Sequence, residues 1–260
     1  MPPIVTLTTD FGTRDSYVAT MKGVLLSLCA NAQVIDLSHE IPPQDVFQGA
    51  LFIAEATRWF PKDTIHCVVV DPGVGTARLP MVAQIDGHFF VCPNNGLLTF
   101  IARRAHAVKA YAISNETFMR DSVSATFHGR DIFAPTAARL ANGALAHDAG
   151  DALSAIATLD VPEAHTDDAG TVHGTVIHID RFGNAITNVD RESVLNSDSG
   201  TVWFGSMALQ GIRSTYGDVA PGQALALFGS SGLLEIAVHR GNASETFTLR
   251  HGSRVEVRQA

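Results

Sequence analysis

The stretch Thr64-Ile65-His66-Cys67-Val68-Val69-Val70, TIHCVVV, sets the strongest limit on what this chain can fold into. It is a continuous apolar run with a single imidazole, so it lacks the in-and-out alternation of a strand with one wet face. A strand of this kind has to be covered on both faces, and helices packed on either side of a sheet supply that cover. The chain before it provides the pieces. Residues 4–8 alternate and are β-rich, Ser16 to Leu28 has helical apolar spacing, and Val34 to Leu37 reads as a second short strand. Asp45 to Phe60 is helical through Val46, Ala50, Ile53, Ala54 and Trp59. Repeated strand and helix alternation predicts an α/β domain with a mostly parallel sheet.

Further along, Met81 to Ile85, the dipeptide Asp86-Gly87 and His88 to Cys92 predict a hairpin with a two-residue turn. Asn94-Asn95-Gly96 is a turn, Leu97 to Ala105 a short helix, and Asp131 to Asn142 a helix interrupted near its start by Pro135. Residues 143–170 are rich in Ala, Asp and Gly and carry Pro162, which suits a domain boundary. Beyond about residue 171 the texture changes to short β-like runs separated by Gly, Asn and Ser. They are Val172 to Ile179, Thr201 to Phe204, Ala224 to Phe228, Leu233 to Val238, Thr246 to Leu249 and Arg254 to Val257. A smaller antiparallel β domain, barrel or sandwich, is expected to follow the α/β domain, with 1–165 and 166–260 as the division.

Composition narrows the function. With 46% hydrophobic and 17% charged residues among 260, the chain has the makings of a packed core. Its net charge of −8 and lack of Lys and Arg clusters argue against nucleic acid as a partner, while a small cationic ligand is compatible. Cys29, Cys67 and Cys92 are widely spaced in apolar surroundings and read as reduced, buried thiols. Met1-Pro2-Pro3 runs directly into Ile4-Val5-Thr6-Leu7 without a signal-peptide pattern, and no apolar run approaches the roughly 18 residues of a membrane span. A cytoplasmic protein with no membrane association is the expectation.

The segment Val70-Asp71-Pro72-Gly73-Val74-Gly75-Thr76-Ala77-Arg78 resembles a phosphate-binding loop but fails the test for one. A dinucleotide fingerprint needs a third glycine and a following helix; here the third position is Arg78 and a hairpin follows. The P-loop and nucleophile-elbow patterns are absent as well. What remains is Asp71 at the carboxyl end of a buried strand, where α/β sheets place ligands, with glycines that let the chain turn Arg78 back toward it. The pair is either a loop-stabilising ion pair or part of a catalytic site. His128, in Phe127-His128-Gly129-Arg130-Asp131, precedes a helix and reads either as a capping or surface residue or as a site residue; Asp131 reads as the helix N-cap. Asp10, in TTDFGT, lies at another strand's carboxyl end, so three acid or imidazole groups gather around one sheet edge.

Six segments, TDFGTRDSYVATMKG at 9–23, DPGVGTAR at 71–78, PNNGLLT at 93–99, FHGRDIFAP at 127–135, DRFGNAITN at 180–188 and SSGLLEIAV at 230–238, are similar in order to the S-adenosyl-L-methionine (SAM) hydroxide adenosyltransferases. These are adenosine-forming SAM hydrolases related to fluorinase and chlorinase. The resemblance implies a nucleophilic water held by Asp71, Arg78 and His128. The chain also keeps Asp71 and the His-Gly pair, which differ in the halogenating relatives, and runs through QIDGHFFVCPNNG without the fluorinase insertion.

The resemblance further implies Asp10 on the ribose diol, Asp180 on the methionine ammonium, Asn184 on the adenine edge and Tyr216 stacked on adenine. Phe182 belongs to the same set, and Ser230 or Ser231 meets the methionine carboxylate. LFGSSG departs from the usual Asn-Ser pairing at that point. It implies no cofactor, no metal, and a homotrimer with active sites between subunits. The expected reaction is hydrolysis of SAM to adenosine and L-methionine. Two alternatives stand beside it: a metal-dependent phosphoesterase using Asp10, Asp71, His128 and Asp131, and a SAM- or adenosine-binding protein without turnover.

Overall fold

The computed structural model describes residues 1–194 and 200–258. The chain divides into two compact units, Met1–Leu159 and Asp160–Ala260.

The first unit is built on six strands: β1 (Ile4–Thr9), β2 (Gln33–Ser38), β3 (Ile65–Val69), β4 (Pro80–Ile85), β5 (His88–Pro93) and β6 (Val108–Ala112). They lie in the order β2-β1-β3-β5-β4-β6. The pairings from β2 to β5 are parallel, and those of β4 with β5 and β6 are antiparallel. Four helices accompany the sheet: α1 (Tyr17–Leu28), α2 (Val46–Ala56), α3 (Thr99–Arg104) and α4 (Ala134–Ala141).

β3 is buried along its whole length, and its alternate residues enter two different cores. Ile65, Cys67 and Val69 pack with Met21 and Leu25 of α1 and with Ala137 and Ala138 of α4. Val68 and the following Val70 pack on the other face with Ile53 of α2, Leu97 and Leu98. This is the two-sided cover that TIHCVVV demands. The run's one polar side chain, His66, is satisfied internally: Nδ1 lies 2.8 Å from Thr6 Oγ1 and the ring stacks on Phe90. Burial drives its pKa down to about 3, so it stays neutral.

The hairpin forms as expected, with Ile85 opposite His88. Asp86 (φ 47°) and Gly87 (φ 91°) both take positive φ, as a type I′ turn requires. Asp45 caps α2 by accepting from the Gln48 amide at 2.9 Å. Two expectations change. The helix predicted from Asp131 starts earlier, with a π-helical turn over Gly129–Phe133 leading into α4. Asp131 is therefore inside that turn and not its N-cap. Pro135 falls at the junction of that π-helical turn with α4 and does not break the helix. β6 was not anticipated, because an edge strand with Val108 and Lys109 both exposed shows no clean alternation.

The second unit holds β7 (His165–Thr166), β8 (Val172–Ile179), β9 (Ala185–Asp190), β10 (Thr201–Phe204), β11 (Met207–Gln210), β12 (Ile212–Arg213), β13 (Ala224–Phe228), β14 (Leu233–Val238) and β15 (Arg254–Arg258). The order is β11-β10-β15-β8-β9-β14-β13-β12, with β7 alongside β8. Its pairings are antiparallel except β12 with β13. The first and last strands in that order are separated in the chain only by Gly211, so the sheet curls into a barrel-like shape around Val172, Val189, Val202, Leu234, Ile236 and their neighbours. The strand predicted over Thr246 to Leu249 is instead the end of a short helix, α5 (Ala243–Phe247). Asn242 nucleates it by accepting from the Glu245 amide at 2.9 Å, a local bond that overrides the β-like run. β9, β11 and β12 lie outside the runs predicted from sequence. Among the described residues no helix is long and apolar enough to cross a membrane.

Candidate active site

Thr9 of β1 pairs with Val69 of β3, so Asp10 and Asp71 leave the sheet side by side at the carboxyl edge of the parallel strands. Past Asp71 the chain makes two tight turns, with the Val74 amide bonded to the Asp71 carbonyl at 3.2 Å and the Thr76 amide to the Gly73 carbonyl at 3.1 Å. The Thr76 hydroxyl adds a second bond to Gly73 O at 2.7 Å. Gly75 is indispensable to this path: its φ is +75°, and a Cβ would come within 2.4 Å of the Ala125 carbonyl oxygen. The turns carry Arg78 back onto Asp71.

Arg78 Nε donates to Asp71 Oδ1 at 2.8 Å and Nη2 donates to Oδ2, a two-pronged ion pair. Both side chains are more than nine-tenths buried, at 9% and 5% exposed. Nη2 also donates to His128 Nδ1 at 2.6 Å. Because arginine has only donors, His128 Nδ1 must accept, and the neutral ring then carries its proton on Nε2. Burial, followed by the Arg78 charge, lowers the His128 pKa and favours that neutral form, against the raising influence of Asp71 and Asp131. Arg78 Nη1 is buried without a hydrogen-bond partner, so one donor group of the fork remains uncommitted.

Asp10 adjoins this cluster. Its Oδ2 accepts from the Gln44 amide at 2.7 Å, while burial and, more weakly, the Asp71 charge push its pKa up. Three rings lock the Asp10 loop to the His128 turn: Phe11 and Phe127 each pack on Tyr17, with centroids at 5.7 and 5.2 Å. Nothing in the spacing of Phe11, Tyr17 and Phe127 marked them as partners, because they come from three separate segments.

Asp131 does not join the site. It is fully buried, and its oxygens accept from Arg130 Nε at 2.7 Å, Arg130 Nη2 at 2.8 Å and the Ser124 amide at 2.9 Å. Those bonds brace the 120–126 loop. Among the described residues no three His, Cys, Asp or Glu side chains are grouped to hold a metal ion, so the donor set named for a phosphoesterase does not gather.

In the second unit, the turn from β8 to β9 is organised by Asp180. Oδ1 accepts from the amides of Phe182 and Asn184 at 2.9 and 2.8 Å, and Oδ2 accepts from Asn184 Nδ2 at 2.9 Å. Asn184 is buried, whereas Phe182 projects with 75% of its surface exposed. Tyr216 donates its hydroxyl to Glu235 Oε2 at 2.7 Å. Ser230 is exposed and Ser231 partly buried in the β13–β14 turn, which is closed by the Gly229 amide bonded to Leu233 O at 3.0 Å. Glu235 is absent from the residues singled out by sequence. One acid in the run Leu233 to Val238 reads as a solvated outward position, yet it is 7% exposed.

A carboxylate, a guanidinium and an imidazole joined at the carboxyl edge of parallel strands, in a chain whose second unit is an antiparallel barrel-like sheet, define an α/β protein with a polar small-molecule site. The chain belongs to the SAM hydroxide adenosyltransferase family: residues 5–150 match its N-terminal domain and residues 174–256 its C-terminal domain. It is 38% identical over 258 residues to an (R)-S-adenosyl-L-methionine hydrolase of Salinispora tropica, covering 98% of this chain and 97% of that one. An (R)-S-adenosyl-L-methionine hydrolase of Thermus thermophilus is 38% identical over 264 residues, 99% of this chain and all of its own. A crystal structure of an uncharacterised conserved protein from Thermotoga maritima superimposes with a TM-score of 0.91 at 34% identity, covering 98% of this chain and 100% of that one.

Proposed function

We infer that this protein hydrolyses S-adenosyl-L-methionine to adenosine and L-methionine. The observation that carries the reading is the continuous Asp71–Arg78–His128 linkage, in a chain that aligns end to end with SAM hydrolases. In the reaction a C5′–O bond forms as the C5′–S bond breaks. Methionine leaves with a neutral sulfur, so the leaving group needs no proton.

The difficulty is the nucleophile. Water with a pKa near 15.7 lies roughly nine units above neutrality, so free hydroxide at pH 7 would cost on the order of 12 kcal/mol. A positioned base that takes the proton as the C–O bond forms is worth about 10²- to 10⁴-fold. We assign that role to Asp71. His128 Nδ1 is already occupied by Arg78, which leaves Nε2–H as a donor suited to holding the water oxygen and unable to take its proton. Arg78 fixes the carboxylate through two bonds and keeps Nη1 as a further donor toward the oxygen. Orientation of the water in line with C5′–S supplies further acceleration.

We further propose that Asp10 holds the ribose diol, that Asp180, Phe182, Asn184, Tyr216 and Ser230 or Ser231 hold the adenine and methionine ends, and that the working form is a cytoplasmic homotrimer with sites between subunits. The 75% exposure of Phe182 beside Asp180 supports a ligand or a neighbouring subunit at that turn. Co-assembling Asp71→Asn with Asp180→Asn subunits tests the assembly: shared sites regain activity in the mixture, and self-contained sites do not.

Incubation of the purified protein with SAM and chromatography of the nucleosides tests the reaction. Adenosine with methionine is expected; methylthioadenosine, or stoichiometric binding without product, would overturn it. Full activity in chelator is expected, and loss there would instead favour the phosphoesterase reading.

A further inference from the structure

β14 sends Leu234, Ile236 and Val238 into the main core of the second unit, so Glu235 projects from the opposite face. That face carries only a small apolar group, Leu225, Leu227 and Ala237 with Val219. An acid there would ordinarily be solvated, yet Glu235 is buried. Its two oxygens are both committed to specific surroundings. Oε2 accepts from the Tyr216 hydroxyl at 2.7 Å. Oε1 lies over the backbone of Gly229, where a Cβ would come within 1.8 Å of it, so the chain at the β13–β14 turn admits this carboxyl only because position 229 has no side chain. Through the sheet, Glu235 stands opposite Ile186 of β9, the strand that begins directly after the Asp180–Asn184 turn. The Asp180 charge reaches both Glu235 and Tyr216.

We propose that Glu235 is a positioning residue for substrate binding, fixing the Tyr216 ring and the Gly229–Gly232 turn as one surface beside Asp180. This rests on the SAM hydrolase reading, in which Tyr216 and the 230–231 turn hold the adenine and the methionine. Tyr216 sits on a short 3-10 turn and is 39% exposed, so its ring has little packing of its own to orient it. A hydrogen bond to the buried Glu235 carboxyl supplies the missing constraint; burial and the Asp180 charge raise the pKa of that carboxyl, so the bond itself and not a fixed charge does the positioning.

The test is a steady-state comparison of Glu235→Ala, Glu235→Gln, Tyr216→Phe and the double variant Glu235→Ala/Tyr216→Phe. Glu235→Ala and Tyr216→Phe are each expected to raise KM for SAM about tenfold or more, with kcat changed less than about threefold, because the reacting groups lie in the other unit. The double variant is expected to be no worse than the poorer single one, since both remove the same bond. Glu235→Gln, whose carbonyl oxygen still accepts from Tyr216, should recover most of the lost affinity. Unchanged KM in Glu235→Ala, additive losses in the double variant, or a Glu235→Gln as weak as the alanine would each overturn the proposal. Should Glu235→Ala fail to fold, Tyr216→Phe and Glu235→Gln decide it by the same KM criteria. Wild-type protein that forms no adenosine from SAM would overturn the underlying reading instead.

Discussion

His128 owes its chemistry to a neighbour that can only donate. With Nδ1 accepting from Arg78, protonation of the ring would set two cations nose to nose, so the Arg78 charge adds to burial in lowering its pKa against the raising influence of Asp71 and Asp131. The acid limb of kcat/KM is therefore expected below the ordinary histidine value of about 6.5. A break above pH 7 in the pH–rate profile would contradict the assignment. Asp71→Asn and His128→Ala should retain SAM affinity but lose at least about 10²-fold in turnover, and near-normal turnover in both would return the cluster to a loop-stabilising role. Arg78→Lys tests the fork itself: one ammonium cannot reproduce two bonds to Asp71 and one to His128, so kcat should fall even though the charge is kept. At this scale the sequence marked Asp71 and Arg78 by their seven-residue separation around two glycines. It could not mark Glu235, because a single acid in an apolar strand carries no sign that its outward face is covered.

The loop from Pro72 to Ala77 and the π-helical turn from Gly129 are the elements that hold the cluster. The first meets the 120–126 loop that leads into the second at Gly75 and Ala125, where backbone meets backbone with no room for a methyl group. Gly75→Ala should displace Arg78 from Asp71 and lower kcat by about tenfold or more while KM moves less, as expected when reacting groups are misplaced and binding groups are not. An unchanged kcat would show that the loop tolerates another path. The strands and helices with strong periodicity were legible from the sequence, including the hairpin and its Asp86-Gly87 turn. Elements set by local detail were not: Asn242 converts a β-like run into α5 through one side-chain bond, and the π-helical turn, which has no side-chain cap, displaces the start expected at Asp131. Hydrophobic spacing encodes neither.

At the scale of the molecule, the fully covered β3 makes the first unit sensitive on both of its faces. Ile53 is entirely buried, and Ile53→Ala is expected to destabilise by about 2–5 kcal/mol in denaturant unfolding, provided two-state behaviour holds. His66 adds an acid limit. Its native pKa of about 3 lies below that of an unfolded histidine near 6.5, so the unfolded chain binds the proton first. Stability is full above about 6.5 and falls as the pH drops toward 3, by about 1.4 kcal/mol per unit. His66→Gln should flatten that slope even if it lowers stability overall, and an unaltered slope would assign the limit elsewhere.

The burial of β3 also separates the site into parts that keep different time. Amides of Ile65 to Val69 lie in the centre of the sheet and should exchange with solvent deuterium only when the unit unfolds as a whole. Those of Gly73 to Ala77, held by turns alone, should exchange through local opening. Asp71 thus follows closely on a strand expected to exchange slowly, while Arg78 follows a loop expected to open locally. Substrate added to the protein should therefore slow exchange first in the Gly73 to Ala77 amides, with those of Ile65 to Val69 unchanged.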